Sequence, residues 1–431
     1  MSESSSSIDL QDVESGRLPR WRARHTVLAV LFVTSIVSFM DRMVMSAAVP
    51  FIAKDFGLSA FESGVLMSVF FAGYAIAQVP GGMLADRFGV RRVTTIAMLW
   101  WSTFAALTGS AGGLISMLAA RFLFGLGEGV YPASAFKAVA VWFPPKERAT
   151  ANAVKLASTP LGGALAPLLV VGVMAFGTWR TVFHVLMIPG VVIALLFWLV
   201  VRDDPAKSPR VTRDELAELG VEEKAGVPKV GPRMSFRAAL REPGMLGYFL
   251  VLFTFNIGNW GFTGWLPTYL VKERGFSATQ MGVAASLPFF AATIGCLVGG
   301  WVSDRFFSRN RRIPIIATQL AAALFLWLTY TATSTATLIV FQTLTGFFLS
   351  FFSSTFWALP ITTMPKALMG VVTGFINMAG QIAAFLSPIL VGYLVGAAGG
   401  SFGSAFTLLI GSILLSCVLV LSLPRPAHED A

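Results

Sequence analysis

Gly82-Met83-Leu84-Ala85-Asp86-Arg87-Phe88-Gly89-Val90-Arg91-Arg92 is a short basic turn set between two long apolar runs. A second version, Gly300-Trp301-Val302-Ser303-Asp304-Arg305 followed by Arg309, Arg311 and Arg312, sits in the later part of the chain. The two aspartates are 218 positions apart (304 less 86), close to half of the 431 residues, so the chain reads as a duplication. Working outward from these turns, apolar runs fall near 27–48, 61–84, 93–111, 114–141, 149–176 and 180–201. A second six lie near 245–271, 278–304, 312–332, 334–362, 366–397 and 401–423. A bilayer-crossing helix needs about 20 apolar residues. The expected fold is therefore an all-α membrane protein with twelve transmembrane helices in two six-helix bundles.

The expected organisation is a polar tail over 1–26, a first bundle over 27–201, a linker rich in charge and proline over 202–244, a second bundle over 245–423 and a tail over 424–431. Composition agrees: 55% of residues are hydrophobic and only 13% charged, against roughly 25% charged in soluble domains. The net charge of +10 is explained by placement. Of 32 Lys and Arg residues, 24 fall in the tails, the linker and the turns on one side of the membrane, including nine between Arg202 and Arg241. Lys54, Arg180, Lys272 and Arg274 fall on the other side. Basic loops stay in the cytoplasm, which puts both termini there and removes the need for a nucleic-acid partner. Cys296 and Cys417 both lie in apolar stretches, which argues against a disulfide framework and a metal site. Residues 1–26 lack the apolar core of a cleavable signal, so the first helix is expected to be the insertion signal.

The Gly-x-x-x-Asp-Arg turn, its second copy and the six-plus-six layout resemble the major facilitator superfamily over essentially the whole chain. The resemblance implies that Asp86 and Arg87, with Asp304 and Arg305, are gating residues that latch helix ends. Parallel halves of this kind form a binding site at their interface near the midplane, reached alternately from each side.

Ionisable groups within the bilayer cost roughly 2.5–3.5 kcal/mol each on insertion scales, so each is a functional candidate. The first half holds Asp41, Arg42, Arg121, Glu128, Lys137 and Lys155 inside its helices. The second half offers amides such as Asn256, Asn259, Gln342, Asn377 and Gln381. Arg121 and Glu128 are seven apart, about 700° around a helix, and so share a face two turns apart. An arginine there can grip a carboxylate with both arms, and a carboxyl withdrawn from water is suited to carry a proton. The plainer reading is an Arg–Glu pair that staples helices. Asp41 and Arg42 point about 100° apart. They read as a second proton carrier and an anion ligand or partner for Glu128, or as a structural cluster between the first and fourth helices. Lys155 has two readings, a ligand for a second carboxylate or a side chain that snorkels about 9 Å to the cytoplasmic surface. Snorkelling is preferred for Lys137. His184, near the outer end of the sixth helix, is either a proton relay or a structural interfacial residue.

Met40-Asp41-Arg42, Ala48-Val49-Pro50-Phe51-Ile52, Gln78-Val79-Pro80-Gly81-Gly82, the run Arg121 to Glu128 and Trp142-Phe143-Pro144-Pro145-Lys146-Glu147-Arg148-Ala149 narrow the resemblance. They are similar to the anion:cation symporter branch, which includes bacterial sugar-acid transporters and animal sialic acid and phosphate carriers. The likeness is stronger in the first half than in the second. It implies proton-coupled uptake of a small organic anion such as a sugar acid, by alternating access. Asp41 and Glu128 would take protons, and Arg42 and Arg121 would serve anion binding. Tyr74 with Gln78, and Asn377 with Gln381, match cavity-lining positions of the branch, with an ordinary packing role for each as the alternative reading; Asn256 joins them as a candidate ligand. Lys155 departs from the branch pattern. The alternative is a proton-coupled drug or metabolite exporter of the same superfamily, although Thr159-Pro160-Leu161-Gly162-Gly163 matches the antiporter pattern poorly. No enzyme chemistry and no cofactor beyond the proton gradient are expected. The partners would be the anion, the proton and the lipid bilayer. The setting would be a bacterial inner membrane, with the protein a monomer.

Overall fold

The computed structural model describes residues 21–219, 244–307, 310–364 and 369–423. The tail residues 1–20 and 424–431, most of the expected linker, Arg309 and Lys366 lie outside the described residues. The first half comprises α1 (Ala23–Phe56), α2 (Ala60–Phe88), α3 (Val90–Gly109), α4 (Leu114–Glu128), α5 (Tyr131–Trp142), α6 (Arg148–Met174) and α7 (Trp179–Val200). A short α8 (Arg213–Glu218) follows. The second half comprises α9 (Met245–Lys272), α10 (Ala278–Phe306), α11 (Arg312–Thr331), α12 (Thr335–Phe356), α13 (Ala358–Thr363), α14 (Met369–Ala397) and α15 (Gly403–Val420). No strand occurs among the described residues.

Eleven stretches among the described residues are long and apolar enough to cross a membrane, one fewer than the twelve apolar runs of the sequence. The one left out is α3, whose 20 residues include Arg91, Arg92, Thr94, Thr95, Ser102 and Thr103. It packs along α4 and α7 all the same, where the third helix of the bundle belongs.

Two spans are each broken in the same manner. The run near 114–141 divides after Glu128, and the run near 334–362 divides after Phe356. Each break falls four residues before a proline, Pro132 and Pro360. Proline gives no N–H to the carbonyl four residues back and its ring presses on that carbonyl, which stops the helical ladder there. Both are the fourth span of their half.

The halves meet through α2 against α14, α6 against α10 and α1 against α9. Contact is closest on the side away from Asp86 and Asp304. A Cβ placed on Gly64 of α2 would lie 2.4 Å from the Pro388 carbonyl oxygen, and one on Gly392 of α14 would lie 2.4 Å from that of Ala60. Only glycine permits such an approach of two helices. At the basic ends, the motif aspartates are held within their own halves. Asp86 accepts from Lys137 Nζ at 2.8 Å, and Asp304 accepts from Arg311 Nη1 at 2.9 Å. Among the described residues, no ion pair joins the halves.

The part of the linker that is described docks back on the first bundle. Buried Glu215 accepts from the backbone N–H groups of Ala23 at 3.3 Å and Arg24 at 3.0 Å, so a residue 191 positions downstream of Arg24 caps the start of α1. Glu218 pairs with Arg22 and, at 2.9 Å, with Arg24, which also reaches Glu147 at 3.2 Å. The hydrogen bonds from Arg22 and then Arg24 hold the Glu218 carboxyl down at about 2.

Candidate functional site

The intramembrane charges of the first half converge. Arg42 Nη2 lies 2.6 Å from Glu128 Oε1, and Ser38 Oγ donates to the same oxygen at 2.7 Å. Glu128 is fully buried, and its Oε2 has no hydrogen-bond partner. The guanidinium of Arg42 is surrounded by rings, 4.6 Å from the centroid of Tyr74, 5.0 Å from Phe70 and 5.4 Å from Phe39. Each such contact contributes about 0.5–2 kcal/mol, which offsets part of the cost of keeping a cation out of water.

Arg121 lies against the ring of Phe124 at 4.5 Å, and its Nε and Nη1 have no acceptor. It makes no ion pair with Glu128. The helical spacing put the two on one face, but the carboxylate turns across to α1 and Arg42 takes it. Asp41 is 1% exposed and neither of its oxygens is hydrogen-bonded, nor is the indole nitrogen of Trp101. The cluster thus holds one satisfied ion pair and, beside it, a cation and a carboxyl with unused hydrogen-bonding capacity. A buried group left in that state costs about 1–3 kcal/mol, more when charged.

Local sequence explains the placement. A Cβ on Gly73 would lie 2.2 Å from the Phe122 carbonyl oxygen, and one on Gly125 would lie 2.2 Å from that of Phe70. These glycines bring α2 onto α4, which sets Phe70 and Tyr74 against the arginines. Tyr131, just past the break, donates to the Leu31 carbonyl at 3.0 Å and meets Ser35 Oγ at 2.9 Å. It braces the broken helix against α1 next to Glu128.

Two voids lie at the junction of the halves. One of about 20 Å³, room for about one water, is bordered by Arg42, Phe70, Phe71 and Arg121 together with Trp260, Gly264 and Pro388 of the second half. A cavity of about 230 Å³ is bordered by Phe39, Thr159 and Pro160 from the first half and by Asn259, Thr263, Phe289, Ser350, Ser353 and others from the second. Trp260 borders both and packs on Phe71 at 4.9 Å and Phe39 at 6.4 Å, so a layer of rings separates the charges from the larger space.

Other sequence candidates fall outside these voids. Tyr74 is buried over Arg42 and borders neither void. Gln78 is half-buried, and Asn256 donates to its own helix at Leu252 O, 2.8 Å away. Asn377 is exposed, and Gln381 is half-buried with an unpartnered Oε1. Lys155 does not reach the surface. It is 5% exposed, and its Nζ sits 3.7 Å above the ring of Phe136. Lys137 lies at the end of its span and ties α5 to Asp86 and the Ala85 carbonyl. Arg87 stacks on Phe88, 5.2 Å away, without an ion pair, and Arg305 likewise has none among the described residues. His184 is exposed and bonds Ser110 Oγ at 2.9 Å. Sequence reasoning missed Ser38, the rings of Phe39 and Phe70 around Arg42, Trp260 and the hydroxyl groups of the cavity. Ser38 alone carried a signal, a polar residue one turn before Asp41 and Arg42.

Two helical bundles joined around a central cavity, with charges sequestered beside it, define a polytopic membrane transporter. The chain belongs to the Major Facilitator Superfamily, whose profile matches residues 31–388. It is 31% identical over 408 residues to a hexuronate transporter of Bacillus subtilis (strain 168), covering 93% of this chain and 94% of that one. It is 32% identical to a probable galactarate/D-glucarate transporter of Escherichia coli (strain K12), over 92% and 94%. It is also 31% identical to a probable sulfoacetate transporter of Cupriavidus necator, over 87% and 88%. A bacterial homologue of the lysosomal transporter Spinster, solved in an inward-facing, unoccupied conformation, has the same fold with a TM-score of 0.73 at 19% identity, covering 94% and 96%. The protein is a multi-pass membrane transporter and not an enzyme.

Proposed function

We propose that this chain imports a small organic anion of the sugar-acid kind, coupled to protons, by alternating access across a bacterial inner membrane. The observation that carries the reading is the Arg42–Glu128 pair at 2.6 Å with Arg121 and Asp41 unpartnered beside it. Protonation of Glu128 cancels the charge that holds Arg42 and frees a guanidinium for a carboxylate. Asp41 serves as the second proton carrier and Arg121 as the second cation, worth roughly 1.5–3 kcal/mol per charged hydrogen bond. Tyr74 orients Arg42, while Gln78, Asn256, Asn377 and Gln381 join the site as the halves rock. Hydroxyl groups of the substrate meet Thr159, Asn259, Thr263, Ser350 and Ser353 in the cavity. The names of the relatives, all carriers of organic acids, support this class of substrate.

The excess of basic residues at the Asp86 and Asp304 ends supports a cytoplasmic position for those ends and for both termini, and the side closed by the tight glycine contacts then faces outside the cell. In this inward-facing state, Asp86 and Asp304 are each held within one half. Asp86, Arg87, Asp304 and Arg305 act as gating residues by exchanging these partners when the cytoplasmic ends close. No cofactor is needed beyond the proton gradient, and one monomer suffices.

The test is uptake of labelled hexuronate, hexarate and hexonate into proteoliposomes under an inward proton gradient. Accumulation of at least one acid, abolished by a protonophore, is expected. Accumulation independent of the gradient, or extrusion in its place, would sink the reading.

A further inference from the structure

We infer that Trp260 is a gate between the cavity and the two arginines, and that its ring makes binding selective for acids with a body behind the carboxylate. The inference rests on the organic-anion reading above and adds a specificity-determining residue to it.

Trp260 borders both voids at the junction of the halves. The smaller one holds the arginines, and at about 20 Å³ it has room for about one water but not for the three heavy atoms of a carboxylate. The larger one, at about 230 Å³, has room for a small acid but no charged residue on its walls. Cation and space therefore lie on opposite sides of one layer of rings. An anion from the cavity meets the arginines only when that layer opens.

Phe39 of α1 and Phe71 of α2 lie over the Arg42 guanidinium, at 5.4 and 6.0 Å. Trp260 of α9 meets both of them, Phe71 edge-on at 4.9 Å and Phe39 at 6.4 Å. Phe71 is buried and packs on Phe70 at 5.0 Å, which leaves it little freedom to turn. Trp260 is half-buried and has the larger cavity beside it. It is also the member of the layer that belongs to the second half, so rocking of one half on the other carries it off its partners. Gly264, one turn further along α9 and on the same face, borders the small void, and a Cβ there would meet nothing within 4 Å. The arginine side of the layer thus keeps open space into which the small void widens once the indole leaves.

Opening has a cost that the ligand must return. The indole gives up its packing on two rings, and each such pair is favourable beyond the area it buries. An acid with a chain behind its carboxylate refills the gap. Its charged end meets the arginines while its body stays against the indole and reaches Asn259 and Thr263, which neighbour Trp260 on α9 and border the cavity. Acetate or chloride brings no body and leaves the displaced ring unpacked. The layer therefore keeps small anions off the arginines, and a carrier holding cargo is distinguished from one neutralised by salt.

The experiment has two arms, both on the purified full chain, with melting temperatures confirming that each variant is folded. In the first, calorimetry measures glucuronate, glucarate and gluconate, and acetate by competition, on the wild type, Trp260→Ala and Trp260→Phe. Trp260→Ala is expected to narrow the margin of the six-carbon acid over acetate by about five- to a hundredfold, the worth of two ring pairs. Trp260→Phe, which keeps a ring in place, retains most of the margin. In the second arm, Cys296 and Cys417 are replaced by alanine, and Ser46→Cys puts a single thiol on the border of the small void. A small anionic methanethiosulfonate should modify that thiol at least about fivefold faster once Trp260→Ala is added, the lower end of the same range. A margin unchanged by Trp260→Ala, or a thiol modified as fast with the indole as without it, overturns the gate and leaves the organic-anion reading intact. Failure of all three acids to bind the wild type overturns the organic-anion reading, and the modification rates then decide the gate separately.

Discussion

Arg42 and Glu128 come from different helices, 86 positions apart, and meet at 2.6 Å beneath the ring of Tyr74. In the proposed cycle the pair links substrate binding to proton uptake, because one cation has two competing partners, the glutamate and an incoming carboxylate. Glu128→Gln removes the competitor. Gradient-driven accumulation is expected to vanish, while exchange of internal for external substrate persists within a few-fold. Accumulation at the wild-type level in this variant would show that the pair is structural.

Arg121 has two nitrogen atoms with no acceptor, so it has no internal bond to lose. Arg121→Ala should weaken substrate binding by at least about tenfold, the lower end for a lost charged hydrogen bond. It should also lower the melting temperature of the unliganded protein, because a fully buried side chain stacked on Phe124 and Phe70 is removed. A thermal-shift series with and without hexuronate separates the two effects; substrate-induced stabilisation undiminished in the variant contradicts the assignment.

The approach of Gly64 to Pro388 leaves no room for a methyl group. Gly64→Ala is expected to open the side away from Asp86 and Asp304, the outer side in the proposed orientation, and shift the population toward the outward-facing state. Cysteines placed at the outer ends of α2 and α14 should label faster with a membrane-impermeant reagent in this variant. Unchanged labelling would mean that the helices accommodate the methyl group by sliding.

Glu215 accepts two N–H groups at the start of α1. Glu215→Ala should destabilise this end by about 1 kcal/mol, the usual worth of a helix cap, and expose the α8 segment to protease. Acid should act through its neighbour. Glu218 titrates at about 2 when docked, below the ordinary glutamate value of 4.5. Its contribution is therefore complete above about pH 4.5 and falls away as pH drops toward 2. Protease protection of α8 that is constant from pH 7 to 5 and declines below about 4 is expected; decline between pH 7 and 5 would point to another group.

Much of this molecule is legible in the chain. Apolar runs gave the spans because a bilayer leaves few other solutions for twenty consecutive apolar residues, and the repeated Asp-Arg turn gave the duplication. Asp41, Arg42, Arg121 and Glu128 stood out because charge in an apolar run is costly. Their pairing was hidden. Spacing along α4 suggested Arg121 with Glu128, but the register between α1 and α4, set by packing, hands Glu128 to Arg42. The rings of Phe39, Phe70 and Trp260 were also invisible, since none is distinguishable among 37 phenylalanines and 11 tryptophans until helices are assembled. The cap from Glu215 spans 191 positions and has no local trace.

The two interrupted spans, each ending four residues ahead of a proline, are both the fourth of their half, but the first breaks at the middle of its run and the second about three quarters of the way along. Each bundle consequently owns a soft joint, one at about mid-depth and the other nearer the end that bears Asp304. Bending can be divided between the joints during transport, and neither the glycine seam on the side away from Asp86 and Asp304 nor the ring layer over the charges has to absorb the whole stroke.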